Sequence, residues 1–548
     1  MNTECYPIST MPGTTALFRD YADRGASSHI AAIRRWYPND PFSMEWAKSS
    51  PTLSETHRER LADALLRQAD GFGATGAVLA NIERLRNGAA AVVTGQQVAL
   101  LGGPLLTLLK AATAIRKAKD ATAASGREHV PVFWLASEDH DLAEVDQISL
   151  LSKTAVEKLT LGLKADRPLP VGGLRVDGGN EDGQLRVEAV LDQASELLGW
   201  APVCDLLREC YAPNATLASA FGRLLTKIFE AQGLVVMDAA SSDFHALGAS
   251  SLRAAIEQAD EFEAELLARS EELVGGGYHA QVLVTPGHSL LFLIDEETGA
   301  RLPLKRTQDG EWKAGARVFA KDELLAILEA TPERLSPNVL LRPVFQDCIL
   351  PTAAYVGGPA EIAYFAQSAV VYEKILGRVT PVLPRLSATL IEPAIATTMA
   401  SHEVGLTQVF EAKTIETLAL KLGARAIPIE GKRKIAAVGN AMDTELNALT
   451  EYMTALSPDL GRAAVVSASK MLYQMNRLRR MAAEFELQKE TSLKKHATTI
   501  MLNLLPDEHL QERLLAGVWF VARYGEGLAE LLVEHASQEC PGHRVIYL

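Results

Sequence analysis

The sequence has little cysteine, and it is scattered. Its five cysteines (Cys5, Cys204, Cys210, Cys348 and Cys540) include no CxxC, so neither a disulfide framework nor a four-ligand zinc site is indicated, and we expect free thiols and no metal. Positive charge is also short. Against 68 Asp and Glu stand 54 Lys and Arg, and the resulting formal charge of -14 argues against a general nucleic-acid binder. The longest apolar runs are broken by Gln96 and Gln97 or by Glu361, and the opening "MNTECYPISTMPG" has no basic segment followed by an apolar core. These absences lead us to expect a cytoplasmic protein that does not span a membrane. There is no GxxxxGK(S/T) loop, and neither the HIGH nor the KMSKS signature occurs in its usual form. "SASKM" at 467–471 resembles the latter only faintly, lies on a helical arm, and is read as coincidence.

With 548 residues, of which 48% are hydrophobic, the chain exceeds what one core usually holds. Residues 1–88 form a layer of helical pieces, among them "SETHRERLADALLRQAD", which Ser54 is placed to cap. From 89 to 392, short apolar runs alternate with longer periodic ones. "AAAVVTG", "VPVFWLA", "GLVVMDA", "VLLRPVF" and "TPVLPRL" read as strands, and "PLLTLLKAATAIRKAKD" and "AEIAYFAQSAVVYEKIL" as helices between them. This predicts an α/β fold with a Rossmann-like parallel sheet, interrupted by antiparallel insertions near 150–180 and 277–320 that are lids or substrate-side walls. After Glu392 the strands stop. Residues 393–548 read as a helical coiled-coil domain whose tail returns to the core, with Met471, Met475, Leu478, Ala482 and Phe485 spaced as a heptad seam that Leu493, Ala497, Ile500 and Leu504 resume. Such a seam predicts a homodimer; the competing reading is a helix packed within its own subunit.

Two clusters fall at predicted strand ends, where open α/β sheets bind ligands. In "TGQQVALLGGPLLTLLK" the glutamines follow a strand and Pro104 starts the next helix, whose unpaired N–H groups suit an anion; Lys110, about two turns further on, reads as too far along to share that ligand. The same Gly-Gly-Pro recurs at Gly357-Gly358-Pro359. The competing reading is that each is simply a tight turn into a helix. In "FWLASEDHD" a strand runs into Glu138, Asp139, His140 and Asp141, titratable groups suited to acid/base work or to holding an ammonium. A helix cap accounts for one or two of these residues and leaves the others unexplained.

"VVTGQQVALLGGPLLTLLKA", "VPVFWLASEDHDLAEVD", "LSPNVLLRPVFQDCILPTAAYVGGPAEIAYFAQ", "PVLPRLSATLIE" and the ending "LQERLLAGVWFVARYGEGLAELL…HRVIYL" together resemble the family of bacillithiol biosynthesis cysteine-adding enzymes. The resemblance runs through essentially the whole chain. It implies a Rossmann-like core, a dimerising coiled coil, and a ligase joining cysteine to glucosaminyl-malate by an amide bond. ATP is the suspected activating co-substrate, inferred from the chemistry. Carried onto this sequence, the family motifs fall on Thr94, Gly95, Gln96, Gln97, Gly102, Gly103 and Pro104, on Glu138, Asp139, His140 and Asp141, and on Arg342, Gln346, Asp347, Gly357, Gly358, Pro359, Glu361, Tyr364 and Arg385. Of these we assign His140, Asp139, Asp141 and Gln97 to catalysis. Gln96, Glu138, Arg342, Gln346, Asp347, Glu361, Tyr364 and Arg385 are assigned to substrates, and Thr94, Gly95, Gly102, Gly103, Gly357 and Gly358 to the nucleotide. Arg342, at a strand position, and Arg385 are the best-placed cations for the malate carboxylates, a structural ion pair being the competing role. The alternatives to a ligase are a nucleotidyltransferase on the same core and a non-catalytic dimeric scaffold.

Overall fold

The computed structural model describes residues 3–22, 30–48, 51–307, 309–537, 540 and 542–548. Its centre is a sheet of five parallel strands, β1 (Ala90–Gln96), β2 (His129–Leu135), β3 (Val235–Asp238), β4 (Thr352–Gly357) and β5 (Val382–Pro384), in the order β5-β4-β1-β2-β3. A parallel sheet is covered on both faces, so its strands are continuously apolar: Ala90 to Val93 and Ala354 are completely buried. The order reverses between β1 and β4. In a Rossmann-like sheet this reversal opens a crevice at the carboxyl ends of those two strands, because their following helices leave toward opposite faces.

Four of these strands begin and end within a residue or two of the expected runs, but "VLLRPVF" does not form a strand. Helix α2 (Arg342–Ile349) begins inside it, and the strand is the next apolar stretch, "TAAYVG". The run is apolar but carries Pro343 at the second helical position, where a missing N–H costs nothing. Helix α1 (Leu106–Ser125) follows β1 and α3 (Pro359–Leu376) follows β4. Ser54 caps its helix as expected, accepting from the His57 N–H. The insertions are antiparallel: Gln147–Leu151 pairs with Val156–Thr160, and the strands between His288 and Pro337 form a separate five-stranded sheet.

The strands do not stop at Glu392. His543–Tyr547 lies parallel to Ser387–Ile391 and antiparallel to Thr3–Tyr6, so the last residues sit centrally in a three-stranded sheet. Next to it Cys5 and Cys540 form a disulfide with Cα atoms 5.7 Å apart, which corrects the expectation of free thiols; a pairing across 535 residues leaves no trace in local spacing. Behind the sheet, Arg385 and Glu512 pair at 2.6 Å, both almost fully buried, while Glu512 also accepts from the Ala388 N–H and the Ser387 hydroxyl. Arg385 is thus committed to a structural ion pair, and its expected role as a free substrate cation is withdrawn.

Helices α4 (Ile429–Leu456) and α5 (Pro458–Lys489) form an antiparallel hairpin, followed by α6 (Thr491–Leu504). The heptad seam divides. Met475 is buried inside the hairpin at 5% exposure, whereas Met471, Leu478 and Phe485 are more than half exposed. Two helices bury only one stripe, here with small residues (Gly461, Ala464), which leaves the larger side chains outside, while Ala483 near the end of α5 meets Gly423 of the helix Ile415–Ala426. Leu493, Ala497, Ile500 and Leu504 instead pack into the core beneath the three-stranded sheet.

Because removing one partner strands the other charge in the interior, Glu512→Gln should destabilise the protein by roughly 3–5 kcal/mol in urea unfolding. A change below about 1 kcal/mol, the range of an exposed pair, would refute the structural role given to Arg385–Glu512.

Candidate functional site

A cavity of about 740 Å³ opens at the β1/β4 reversal, and the two glutamines line it. Each is tied to a different wall. The Gln97 side chain donates to Asp139 at 2.6 Å, in the loop after β2, while Gln96 accepts from the Lys110 ammonium at 2.8 Å. Lys110 was expected to fall short. It reaches back along α1 to bond the Gly95 carbonyl at 2.8 Å and Glu361 at 2.6 Å.

Glu361, in the first turn of α3, also accepts from the Gly358 N–H and the Tyr355 hydroxyl. Burial alone would raise its pKa, but the Lys110 ammonium and these donors outweigh burial and hold the carboxyl below its ordinary value. Burial, reinforced by Arg385 and Arg342, pulls Lys110 down despite Glu361.

Both Gly-Gly-Pro turns serve the backbone. Leu101, Gly102 and Gly103 all have positive φ (49°, 81° and 73°), a conformation that glycine tolerates and that swings the chain into α1, which begins at Leu106, two residues beyond Pro104. Space around Gly102 and Gly103 is closed by Leu224, Thr107 and Ala99, away from the cavity. At the second turn a Cβ on Gly357 would meet Glu361 at 3.0 Å, and one on Gly358 would meet Arg385 at 3.4 Å. Gly102, Gly103 and Gly357 lie outside the cavity, so the nucleotide roles given to them are not supported; Gly358 lines it, with its N–H taken by Glu361. Thr94 is buried and bonds the Val356 carbonyl between strands; Gly95 lines the cavity.

The acidic loop separates into individual tasks. Asp141 caps a short helix through the Glu144 N–H and does not line the cavity; the capping explanation holds for it. Glu138, Asp139, His140 and Glu144 do line it. His140 Nδ1 lies 3.1 Å from an Arg301 Nη. A guanidinium only donates, so in this contact Nδ1 is the acceptor and the ring proton sits on Nε2. Arg301 comes from the inserted five-stranded sheet, sits 3.7 Å over the Phe292 ring, and is fixed by Ser336 and the Pro337 carbonyl. This insertion is therefore one wall of the site. Behind Glu138, at 3.1 Å, stands His245, completely buried on a helix that carries neither of the two sequence clusters. Burial alone would discharge His245, but Glu138, the Pro332 carbonyl and Glu333 outweigh it and raise its pKa above the ordinary histidine value.

On the opposite wall Arg342 begins α2, correcting its strand placement, and donates to Gln346 and to the Tyr364 hydroxyl at 3.1 Å each, with its guanidinium over the Tyr355 ring. Gln346 and Asp347 are buried outside the cavity. Gln346 braces Arg342, and Asp347 bonds Gln346, Thr380 and Arg378. Neither can touch a substrate there. Tyr364, Glu361 and Arg385 line the cavity, together with Arg513, which sequence reading missed. No local pattern marks Arg513, because the C-terminal segment reaches the site only through the fold.

A sheet with its cavity at the strand-order reversal, walled by an antiparallel insertion and continued by a helical hairpin, defines a two-part Rossmann-like protein with an α-helical arm. Residues 1–386 match the family description "Bacillithiol biosynthesis BshC, N-terminal Rossmann-like domain", and residues 388–548 match its "C-terminal coiled-coil domain". The chain is 41% identical over 549 residues to a protein of Koribacter versatilis (strain Ellin345) named "Putative cysteine ligase BshC", covering 100% of both. Proteins of the same name from Solibacter usitatus (strain Ellin6076) and Salinibacter ruber (strain DSM 13855 / M31) are 32% and 31% identical, over 100% and 98% of this chain and 100% and 97% of their own length. The chain belongs to the BshC family.

Since the folded-state pKa of His245 is raised, its charged pairing with Glu138 contributes fully below the unfolded value near 6.5 and is lost as pH rises through the folded value. The stability gap between the protein and His245→Gln should therefore be widest in mild acid and shrink in alkali, measured by urea unfolding across pH. A constant gap would show that His245 is not charged in the fold.

Proposed function

We propose that this chain is a ligase joining the carboxyl group of cysteine to the amine of glucosaminyl-malate in the cytoplasm, with ATP as activating co-substrate. The observation that carries this reading is the uneven charge across one cavity: Glu138, Asp139 and Glu144 outnumber Arg301 on one side, and Lys110, Arg342, Arg385 and Arg513 outnumber Glu361 on the other. Both proposed substrates bring an amine, and the sugar also brings carboxylates. An acidic wall facing a basic one suits that pair and orients them across the gap that Gln96 and Gln97 span.

Amide formation expels a carboxylate oxygen, and ATP would supply its activation. With Gly102 and Gly103 turned away from the cavity and the Gly358 N–H taken by Glu361, neither turn is assigned to the nucleotide in this proposal. Asp139 and Glu138 receive ammonium groups in this proposal. For His140 to take the proton that the attacking ammonium must lose, its ring gives up the Arg301 contact, carries its own proton on Nδ1 and accepts at Nε2.

Bacillithiol should be detected by mass spectrometry after incubation with cysteine, glucosaminyl-malate and ATP. Release of pyrophosphate without dependence on cysteine would favour a nucleotidyltransferase, and the absence of any turnover a scaffold. His140→Ala should lower turnover by on the order of 10²-fold or more, and Gln97→Ala should remove most of it, with unfolding midpoints nearly unchanged. Full synthesis by both variants at saturating substrates would remove the glutamines and His140 from the reaction.

The exposed apolar face of the arm is proposed to dimerise, since Leu478 and Phe485 are 58% and 64% exposed. Leu478→Asp combined with Phe485→Asp should give folded monomers by light scattering. Met475, buried in its own hairpin, would test folding instead.

A further inference from the structure

We propose that Arg513 is a specificity-determining residue that binds a dicarboxylate, the malate portion of the substrate, at the basic wall of the cavity. The inference rests on the ligase reading for the name of the substrate, though not for the presence of the anion site.

Most cations of the cavity are already engaged. Lys110 is paired with Glu361, Arg385 with Glu512, and the Arg301 donors are divided among Ser336, the Pro337 carbonyl and His140. Arg342 is held by neutral oxygens, those of Gln346 and Tyr364. Arg513 alone among the described cavity cations has no side-chain hydrogen bond or ion pair.

Its backbone, by contrast, is firmly held. On one side Gln511 bonds both the N–H and the carbonyl of Leu390, and Glu512 bonds the Ala388 N–H. On the other, Leu515 accepts from the Leu105 N–H, and Ala516 donates to the Ser149 carbonyl. The chain is thus clamped on both flanks, and Arg513 is set on the rim beside another guanidinium. The side chain itself remains exposed, so solvent meets its donors in the free protein; partial desolvation first, and then the neighbouring Arg385, disfavour its charge, with Glu512 only partly compensating. An anion in the cavity would take the place of that solvent.

The charge count indicates which anion. On this wall Lys110, Arg342, Arg385 and Arg513 meet only Glu361 and Glu512, an excess of two positive charges. Two carboxylates balance it; the four charges of a nucleoside triphosphate overfill it. A guanidinium also suits a carboxylate through two parallel N–H···O bonds, which Arg513 has its donors free to make.

Isothermal titration of the full chain with glucosaminyl-malate, L-malate and ATP tests this. Arg513→Gln should weaken glucosaminyl-malate binding about 10- to 100-fold, Arg513→Lys should recover part of the loss, and ATP affinity should not move. Unchanged glucosaminyl-malate affinity in Arg513→Gln overturns the inference while leaving the ligase reading intact, and so does a loss confined to ATP. If the protein binds L-malate through Arg513 but not glucosaminyl-malate, the anion site stands and the ligase substrate falls. Binding of neither carboxylate overturns the inference. Arg342→Gln, weakening the same ligands with the fold retained, provides the companion measurement.

Discussion

The site depends on a single buried contact, Lys110 to Glu361 at 2.6 Å. These residues lie on the helices that follow the two strands flanking the reversal of strand order. Their pairing fixes the distance between α1 and α3 where the crevice would otherwise be free to open. It also sets the polar groups around it. The ammonium holds the Gly95 carbonyl and the Gln96 side chain, while the carboxylate takes the Gly358 N–H and the Tyr355 hydroxyl. Removing either partner would leave an uncompensated charge in the interior, and with it four other polar groups out of place.

The same contact explains why two adjacent glutamines lie where neither a strand nor a helix needs them. Successive side chains of an extended segment point in opposite directions, so Gln96 and Gln97 reach opposite walls: one meets Lys110, the other Asp139. An amide suits both positions because it can accept from an ammonium or donate to a carboxylate without adding charge. The division of the cavity into acidic and basic sides is thus bridged by two neutral residues.

How far this was legible in the sequence depends on the range of each interaction. The parallel sheet was, because strands buried on both faces are continuously apolar, and the strand-end loops holding Gln97, Asp139 and His140 followed from it. "VLLRPVF" was misread because a short apolar run carries no periodicity that separates a buried strand from a buried helix; Pro343 was the available signal. Gly-Gly-Pro drew attention for good reason, but its glycines answer to backbone φ and to the close approach of Glu361 and Arg385. His245, Arg301, Arg513 and the Cys5–Cys540 disulfide share one property: each acts across more than a hundred residues of chain, and no local pattern encodes such a partner.

The C-terminal segment shows how that long range is used. Glu512 and Arg513 are neighbours with opposite fates: one is buried behind the sheet against Arg385, the other turns into the cavity beside it. A segment that both locks the end of the sheet and completes the basic wall makes the cavity conditional on correct docking of the C-terminal part. The helical arm grows from that same part. Its hairpin leads through α6, packed under the three-stranded sheet, to the residues just before Glu512. A displacement of the arm that moved α6 would be felt at the Arg385–Glu512 pair before it reached any residue of the parallel sheet, since this is the charged contact that joins the two parts at the cavity.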